Sequence, residues 1–385
     1  MTETARLAPP SLDVPLLLTD EQTELRAVLR SFLADSSPES VVRRHMDTVD
    51  GLDLGTWKGL SADLGVCGLA VPEELGGSGG SFGDVAVVTE ELGRTLSCVP
   101  WLSNVVLAQS LLLGLTGHPL ADECLATVAE GRARATVAFA EQGRPWSPMG
   151  VAITAERSAT GWRLSGAKDY VVDGHTADLV LVLARTGAGL TAFVVESDAP
   201  GLNRVPVPTM DLTRKQARLE FADVPAQVLG EEGGAEEAFV RMLDLAAIAI
   251  AQECVGGAQF VLDSAVDYAK TRYQFGRAIG SFQAIKHKCA DMLLAVESAK
   301  SAAYYARGVV SSGADAGIPL AAALAKSACQ DAYLNCASEN IQVHGGIGFT
   351  WEHSAHLYFK RAQANSLMFG SSRYHRARLG DLLGI

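Results

Sequence analysis

Residues 268–287 read YAKTRYQFGRAIGSFQAIKH, and this stretch decides the fold of the 385-residue chain. Arg272 stands at the predicted end of a helix, ahead of a glycine. Its planar guanidinium can meet a pyrophosphate with paired donors, which a lysine cannot imitate. Phe275 offers a flat apolar face beside it, and Gln274 and Gln283 add neutral hydrogen bonds. The stretch is therefore compatible with contacts to a ligand that carries a pyrophosphate.

A second stretch, QVHGGIGFTWE at residues 342–352, follows Arg272 after about 70 residues. Gly345 and Gly346 remove side chains where the backbone must come close to a ligand, and Gln342 precedes them. Taken alone, each stretch is explained better by a surface arginine or by an ordinary glycine turn. The two together, in this order and at this separation, favour one shared ligand site.

Together the two stretches resemble the paired signatures of the acyl-CoA dehydrogenase family, and the resemblance covers almost the whole chain. It implies an enzyme that uses FAD to oxidise the Cα–Cβ bond of an acyl-CoA substrate and passes the electrons to an electron-transfer flavoprotein. In the family, these segments contact the adenosine and pyrophosphate half of a FAD whose ring lies in the neighbouring subunit. The resemblance therefore implies a dimer or a tetramer, either homomeric or heteromeric. The residues that would hold FAD are Arg272, Gln274, Phe275, Gln283, Gln342, Gly345, Gly346 and Ser371.

Helical patterns fill the first third of the chain. Thr19 and Gln22 form a predicted capping box, in which each side chain bonds to the other residue's backbone N–H. The sequence VPEELGG at residues 71–77 then breaks the pattern with a proline and a glycine-rich turn, and helical periodicity resumes near Asp84. An apolar stripe with the i, i+3, i+4, i+7, i+8 spacing of one buried helix face follows the capping box at Leu25, Val28, Leu29, Phe32 and Leu33.

The pattern changes to β-structure near residue 131. Short alternating or apolar runs between Gly, Asp and Pro residues predict antiparallel strands. These runs cover residues 135–140, 151–156, 162–166, 179–184, 190–196 and 217–221. Loops or strand ends are predicted at Pro200, Pro206, Pro208 and Pro225. A Rossmann fold is disfavoured, since no GxGxxG follows a strand and the strands do not alternate with helices.

Helical patterns dominate again from about Ala235 onward. The predicted helical segments cover residues 235–272, 281–311, 318–341 and 352–380. The predicted fold class is α+β, with an N-terminal helical domain (1–130), a middle antiparallel β-domain (131–230) and a C-terminal four-helix bundle (231–385).

The resemblance also indicates where a catalytic base belongs, and this chain has none at either family position. A carboxylate must remove the proton α to the thioester, and such general-base catalysis contributes about 10²–10⁴ in rate. The usual glutamate precedes Gly-Thr or Gly-Ser near the C-terminus, where this chain has Phe369 before Gly370. Some family members place it on the long helix before the arginine motif, at the position of Ala246. Neither side chain accepts a proton, so the catalytic residue is unknown.

Two acidic residues lie on the same predicted helix as Ala246. Asp244 is two residues away, roughly 200° around the helix, and therefore faces elsewhere. Glu253 shares the face of Ala246 but lies about 10 Å further along the axis. Glu253 is thus the remaining candidate for the base, although a polar or interface role fits it better.

The residues that would face a flavin ring within the same subunit also depart from the family. Ala140 stands where family members carry a threonine before Glu-Pro. Val172 stands at the threonine of the family's Trp-x-Thr and has no hydroxyl to offer the flavin. Ser371 alone keeps a hydroxyl at a matching position.

These losses leave two hypotheses. Residues that would serve a neighbour's flavin are kept, while those that would serve this chain's own ring and substrate are lost. The chain is either an acyl-CoA dehydrogenase, alone or within a heteromer, or a non-catalytic partner subunit that completes the FAD site of a different catalytic chain. Fatty, branched, aromatic and steroid side-chain thioesters all remain open as substrates, as does the choice between a dehydrogenase and a related oxidase.

The composition and the remaining motifs disfavour several other classes of function. The formal net charge of −12 opposes a nucleic-acid partner, whose phosphates need a basic surface. The seven cysteines show no CxxC spacing, and His353 and His356 have no third ligand in view, so no disulfide framework and no metal site are predicted. A serine hydrolase is unsupported because the sequence has no GxSxG elbow.

The sequence predicts neither a membrane span nor a signal peptide. The most apolar stretch, residues 99–115, is interrupted by polar residues and predicts a buried helix. Met1–Pro10 has no basic region followed by an apolar stretch. The expected location is the cytoplasm.

Overall fold

The computed structural model describes residues 14–159 and 161–385. Within it the chain divides into two compact units. The first contains the described residues up to Glu39 together with Phe82–Ser97 and Ala247–Ile385, and the second contains Ser40–Ser81 and Cys98–Ala246. The expectations for Met1–Pro10 lie outside the described residues, and the division into three domains remains a prediction.

Helices precede and follow a block of strands, as the predicted α+β class requires. The helices are α1 (Asp20–Ser36), α2 (Glu39–Met46), α3 (Leu54–Lys58), α4 (Phe82–Thr95), α5 (Ser110–Leu113), α6 (Pro119–Ala129), α7 (Glu236–Thr271), α8 (Gln283–Ser311), α9 (Ile318–His344), α10 (Ala355–Leu367) and α11 (Ser372–Leu383). The strands of the block are β1 (Ala135–Ala138), β2 (Thr154–Ser158), β3 (Gly161–Val172), β4 (Leu179–Thr186), β5 (Gly189–Glu196), β6 (Leu202–Val207) and β7 (Gln216–Leu229).

Helix α1 begins at the predicted capping box. The Thr19 hydroxyl accepts a hydrogen bond from the Gln22 N–H at 3.2 Å, and the Gln22 side chain accepts one from the Thr19 N–H. The predicted apolar stripe was wrong at Val28, which is 44% exposed. The buried face of α1 is a narrow seam through Gln22, Leu29 and Leu33, because these residues pack towards α4.

The C-terminal helices confirm three of the four predicted segments, as α7, α8 and α9. The fourth, residues 352–380, was wrong as a single helix, because Phe369 and Gly370 adopt φ values of 55° and 104° between α10 and α11. Such values lie outside the right-handed helical region. Helix α7 is long and apolar enough to cross a membrane by composition, but 89% of its most apolar window is buried inside the protein, as in a core helix.

The strands β1–β7 form one sheet in the order β1-β4-β2-β3-β7-β5, with β6 paired to β7. Because β4 also pairs with β5, the five strands β4, β2, β3, β7 and β5 close into a ring. Most pairings are antiparallel, as predicted, whereas β4 pairs in parallel with β1 and β2. The inner side chains, among them Leu164, Phe193 and Leu219, form an apolar core.

Two of the four prolines are not at loops or strand ends as predicted. Pro206 lies inside β6, which pairs only with β7 and is an edge strand, so its missing N–H costs no ladder bond on the free side. Pro225 lies inside β7, beyond the residues that pair with β6 and before those that pair with β5.

Candidate functional site

The arginine stretch folds into a hairpin between α7 and α8. Strands β8 (Tyr273–Gln274) and β9 (Arg277–Ala278) pair antiparallel and leave Phe275 and Gly276 as a two-residue turn. Their φ values of 54° and 80° are both positive, as a type I′ turn requires. Phe275 is 90% exposed, so the turn holds an aromatic ring away from the core on a strained backbone.

A groove of about 380 Å³ lies against this hairpin and is lined by the ends of α7, α8 and α9. Arg272, Gln274 and Phe275 line it, so three of the predicted cofactor-binding residues meet at one place. Within its lining the rings of Tyr268 and His344 stack with their centroids 4.3 Å apart. The groove thus combines stacked aromatic rings with an arginine.

The guanidinium of Arg272 is available to an anion. Within residues 14–159 and 161–385, no ion pair involves Arg272. Arg277 differs, because its guanidinium lies 4.1 Å over the ring of Phe282. Gln283 begins α8, and its side-chain nitrogen lies 3.2 Å from Nε2 of His287. The hairpin therefore presents one unpaired cation to the groove.

The two glycines of the second stretch follow directly after α9. Gly345 caps α9 at a φ of 65°, where its backbone N–H donates to the carbonyls of Ile341 and Gln342. A Cβ placed on Gly345 or Gly346 meets no atom of the described chain within 4 Å. The sequence predicted that another group comes close to the backbone at these glycines. Within the described chain, no such group is found. The space beside them is open to a ligand or to another subunit.

Tyr268 and His344 are groove residues that the sequence analysis missed, although both stand within the two quoted stretches. His344 is buried, and its Nδ1 lies 2.8 Å from the carbonyl oxygen of Asn340. Burial lowers the pKa of His344, which favours the neutral ring that stacks on Tyr268. The sequence could have indicated Tyr268, because this aromatic residue stands one helical turn before Arg272, on the same face of α7.

Both positions predicted for the base are filled by buried apolar side chains. Phe369 is 5% exposed, and its carbonyl oxygen lies 2.8 Å from Nε2 of His375. Ala246 is fully buried on α7. Proton abstraction by a side chain at either position is therefore impossible.

Glu253, the remaining candidate for the base, is held in a buried polar cluster. Its Oε1 accepts hydrogen bonds from Arg361 at 3.1 Å and from the Asn365 amide at 2.8 Å. The side chains of Glu253 and Arg361 are 7% and 4% exposed. A carboxylate bound to a buried guanidinium is stabilised as an anion, so this geometry supports a structural role.

A buried lysine that the sequence analysis did not single out holds the Phe369 loop. The Lys326 ammonium donates to the carbonyl oxygens of Asn365 at 2.8 Å and Gly370 at 3.3 Å, and to the side chain of Gln330. Burial lowers its pKa to about 8. These bonds satisfy carbonyls at the end of α10, and they fix the break between α10 and α11.

Two family models match this chain. The model for the acyl-CoA dehydrogenase N-terminal domain matches residues 19–132, and the model for the C-terminal domain matches residues 207–383. The chain belongs to the acyl-CoA dehydrogenase family. Members of this family are FAD-dependent oxidoreductases.

Relatives and solved structures agree with this membership. Acyl-CoA dehydrogenase IpdE2 of Mycobacterium tuberculosis is 38% identical over 94% of this chain and 96% of its own length. A variant of the Tcur3481–Tcur3483 steroid ACAD is 32% identical, with a TM-score of 0.83 over 95% of this chain and 98% of that one. The ChsE4–ChsE5 complex from M. tuberculosis contains a chain that is 27% identical, with a TM-score of 0.87 over 96% of this chain and 99% of its own.

The groove fits part of the cofactor that acyl-CoA dehydrogenases use. An unpaired arginine suits a pyrophosphate, and the exposed Phe275 ring and the open space at Gly345 and Gly346 leave room for a nucleotide. Ser371 lies elsewhere, as the N-cap of α11, where its hydroxyl accepts from the Tyr374 N–H at 3.3 Å. The structure thus brings Arg272, Gln274 and Phe275 together with the end of α9. The other predicted cofactor residues are not among those that line the groove, namely Gln283, Gln342, Gly345, Gly346 and Ser371.

In the second unit, the two positions predicted to face a flavin ring are buried and apolar. Ala140 is 5% exposed and Val172 is 4% exposed. Next to Ala140, the Glu141 carboxylate accepts a hydrogen bond from the buried Lys168 ammonium at 2.8 Å. That ion pair orders the chain after β1, whereas neither Ala140 nor Val172 supplies a hydroxyl.

Proposed function

We propose that this chain is a subunit of a heteromeric FAD-dependent acyl-CoA dehydrogenase and completes the FAD site of a different, catalytic chain. The observation that carries the proposal is that, among the described residues, none of the three positions considered for the base offers a free carboxylate. Phe369 and Ala246 are buried and apolar, and Glu253 is bound by Arg361. A chain that keeps the arginine groove but has no proton acceptor at these positions can still help to bind the cofactor. Its partner would then supply the carboxylate that removes the proton.

The groove residues would hold the adenosine and pyrophosphate half of FAD. Arg272 would pair with the pyrophosphate, Phe275 would stack on or cover the nucleotide, and Gln274 and Gln283 would add hydrogen bonds. Gln342, Gly345 and Gly346 would lie along the open side of the groove. FAD, when bound, supplies the two-electron acceptor for oxidation of the acyl-CoA, and an electron-transfer flavoprotein would receive the electrons.

Two of the similar structures support a mixed assembly, because each is named as a pair of different chains, Tcur3481–Tcur3483 and ChsE4–ChsE5. The first of them is a steroid ACAD. Steroid-derived acyl-CoA thioesters are therefore the first substrates to test with the assembled complex, ahead of straight-chain thioesters. The cytoplasm is the proposed location.

The test is the ratio of flavin to chain, measured by absorbance. The chain is purified alone and after co-expression with a dehydrogenase encoded beside it that keeps the glutamate before Gly-Thr or Gly-Ser. We expect little or no FAD on the chain alone and about one FAD per pair in the complex. One full FAD per chain in the isolated protein, with bleaching by acyl-CoA, would instead establish an independent enzyme.

The Arg272 side chain provides the matched variant for this test. Arg272→Ala is expected to weaken FAD binding by the complex about 10–100-fold, because a hydrogen bond to a charged group contributes about 1.5–3 kcal/mol. Arg373→Ala on α11 removes an exposed arginine that does not line the groove, so FAD affinity should stay unchanged. Equal losses in the two variants would contradict the assignment of Arg272.

A further inference from the structure

His344 lies among three aromatic rings beside the groove that Arg272 lines. The centroid of its ring is 4.3 Å from that of Tyr268 and 4.2 Å from that of His353, in the loop before α10. His344 also lines the groove itself. The two ring contacts therefore restrict how the imidazole is oriented towards anything that the groove holds.

The hydrogen bonds of His344 leave one of its two ring nitrogens free. Nδ1 lies 2.8 Å from the carbonyl oxygen of Asn340. Because a carbonyl oxygen only accepts, Nδ1 carries the proton, and Nε2 of the neutral ring is a hydrogen-bond acceptor. Within residues 14–159 and 161–385, no group bonds to Nε2, although solvent reaches this atom. The groove is thus lined by a residue with an unused acceptor.

The surroundings of His344 favour the neutral ring. Burial lowers the pKa of His344 from its usual value of 6.5, and His353 lowers it further, against the opposing effect of the bond to Asn340. The other titratable or charged groups around it are Tyr268 and Arg272 of α7, whereas α8 contributes only an apolar side chain to the groove. No carboxylate is among the described residues that line the groove, so none is present there to stabilise an imidazolium.

We infer that Nε2 of His344 accepts a hydrogen bond from the adenosine half of FAD and makes retention of the cofactor depend on pH. This inference rests on the proposed function, in which the groove holds that half of FAD. The donor would be the amino group of adenine or a ribose hydroxyl, which are both neutral. Protonation of His344 converts the acceptor into a donor, so the bond is lost and two donors face each other.

The direction of the pH effect follows from this change. Because the bound form requires the neutral ring, FAD binding and protonation of His344 oppose each other. The affinity for FAD should be nearly constant above pH 6.5, where the ring is neutral, and should fall at lower pH. The fall can reach about tenfold for each pH unit below the pKa.

Two variants of His344 separate the acceptor from the ring. FAD binding by the complex with the glutamate-containing dehydrogenase is measured by flavin fluorescence between about pH 5 and pH 8. His344→Phe keeps an aromatic ring but has no acceptor, so it should weaken FAD binding about 2–10-fold at neutral pH and show no further fall in acid. His344→Gln supplies an acceptor that does not titrate, and it should recover part of the affinity without the pH dependence.

Two other histidines serve as controls. His118→Gln removes a histidine of the second unit and should leave the pH profile unchanged. His353→Gln should keep the fall in affinity but move it to higher pH, because His353 lowers the pKa of His344. Circular dichroism and native mass spectrometry at each pH establish that the variants fold and that the two chains stay together.

An FAD analogue with hypoxanthine in place of adenine identifies the donor. If the analogue loses the affinity that depends on His344, the amino group is the donor. If it keeps that affinity, a ribose hydroxyl is the donor. Either result supports the inference.

Other outcomes overturn it. An affinity for FAD that is independent of pH in the intact wild-type complex would refute the role of His344 and leave the proposed function standing. A fall that persists in His344→Phe, that His353→Gln abolishes, or that coincides with dissociation of the two chains would also refute it. An intact complex that binds no FAD at any pH would refute the proposed function together with this inference.

Discussion

Phe275 combines exposure with a backbone conformation that a bulky residue rarely adopts. It is 90% exposed at a φ of 54°, and its ring meets Phe282 edge-on with the centroids 6.0 Å apart. The left-handed region costs a non-glycine residue about 1–2 kcal/mol, and asparagine tolerates it better. Such strain at an exposed aromatic residue is expected where the ring serves a ligand.

The residue-scale prediction follows from this strain. Phe275→Asn creates the Asn-Gly pair that type I′ turns favour, so the free energy of unfolding should stay level or rise by up to about 1 kcal/mol. The FAD content of the complex should fall at the same time. Thermal unfolding and flavin absorbance measure the two effects.

Phe349→Asn is the control for Phe275→Asn, because Phe349 is an aromatic residue that is 81% exposed and is not among the residues with positive φ. Phe349→Asn should not raise the free energy of unfolding. A Phe275→Asn chain that is less stable than wild type by more than about 1 kcal/mol would show that ring packing outweighs the backbone strain.

At the residue scale the sequence predicted the grouping of side chains better than their conformation. Arg272, Gln274 and Phe275 were expected to act together and do line one groove, whereas their contacts to a cofactor stay a prediction. The turn that carries Phe275 was not predicted, since the favoured Asn-Gly or Asp-Gly signal is absent. The buried Lys326 was not found, because its acceptors are carbonyls that only the folded chain brings together.

Between elements, a buried ion pair connects α7 to α10. Glu253 of α7 accepts from Arg361 and Asn365 of α10, within the described part of the chain. Removing one partner of a buried pair leaves a charge without compensation and costs about 3–5 kcal/mol. Because Asn365 also offers its carbonyl to Lys326, the pair supports the end of α10, next to the Phe369 loop.

We therefore predict that Glu253→Ala lowers the free energy of unfolding by about 3–5 kcal/mol. Arg361→Met in the same chain should recover part of this loss, since both charges are then removed. Urea unfolding of the two single variants and the double variant measures the coupling. If Glu253 were the base, Glu253→Gln would abolish turnover in the complex with little effect on stability.

The elements themselves were predicted where local pattern determines them. The α1 capping box and the extents of α7, α8 and α9 follow from side chains that are close in sequence. The break between α10 and α11 did not, because Phe369 has no sequence preference for positive φ. The loop is held by His375, which bonds to the Phe369 carbonyl oxygen, and by the distant Lys326, which donates to the Gly370 carbonyl oxygen. Pro206 lies inside a strand because β6 is an edge strand, and a local sequence pattern does not show which strands pair.

For the whole molecule, the helix–β–helix order was predictable, whereas the two compact units were not. Residues 82–97 belong with the C-terminal helices in the first unit, and Arg94 pairs there with Asp263, 169 residues away. Such pairing depends on the tertiary fold. The sequence periodicity around either residue gives no sign of it.

Among the described residues, each unit holds one fully buried lysine, Lys326 in the first and Lys168 in the second. Burial lowers the pKa of each to about 8, from a value of 10.5 for a lysine in water. Between these two values the unfolded chain binds more protons than the native chain. Stability contributed by these groups therefore rises as the pH increases from about 8 to 10.5, at up to about 1.4 kcal/mol per pH unit for each lysine.

Lys326→Met isolates one of these contributions, because the hydrogen-bond acceptors of Lys326 are neutral oxygens. The variant should be less stable than wild type, since it leaves the carbonyls of Asn365 and Gly370 without their donor. Its deficit should grow by about 1.5 kcal/mol between pH 8 and pH 9.5, as wild type gains the stability that the variant lacks. Urea unfolding at the two pH values measures the change, and Lys286→Met on α8 controls for the loss of one positive charge. A deficit that stays constant or shrinks over this interval would show that the Lys326 ammonium is not destabilised by its burial.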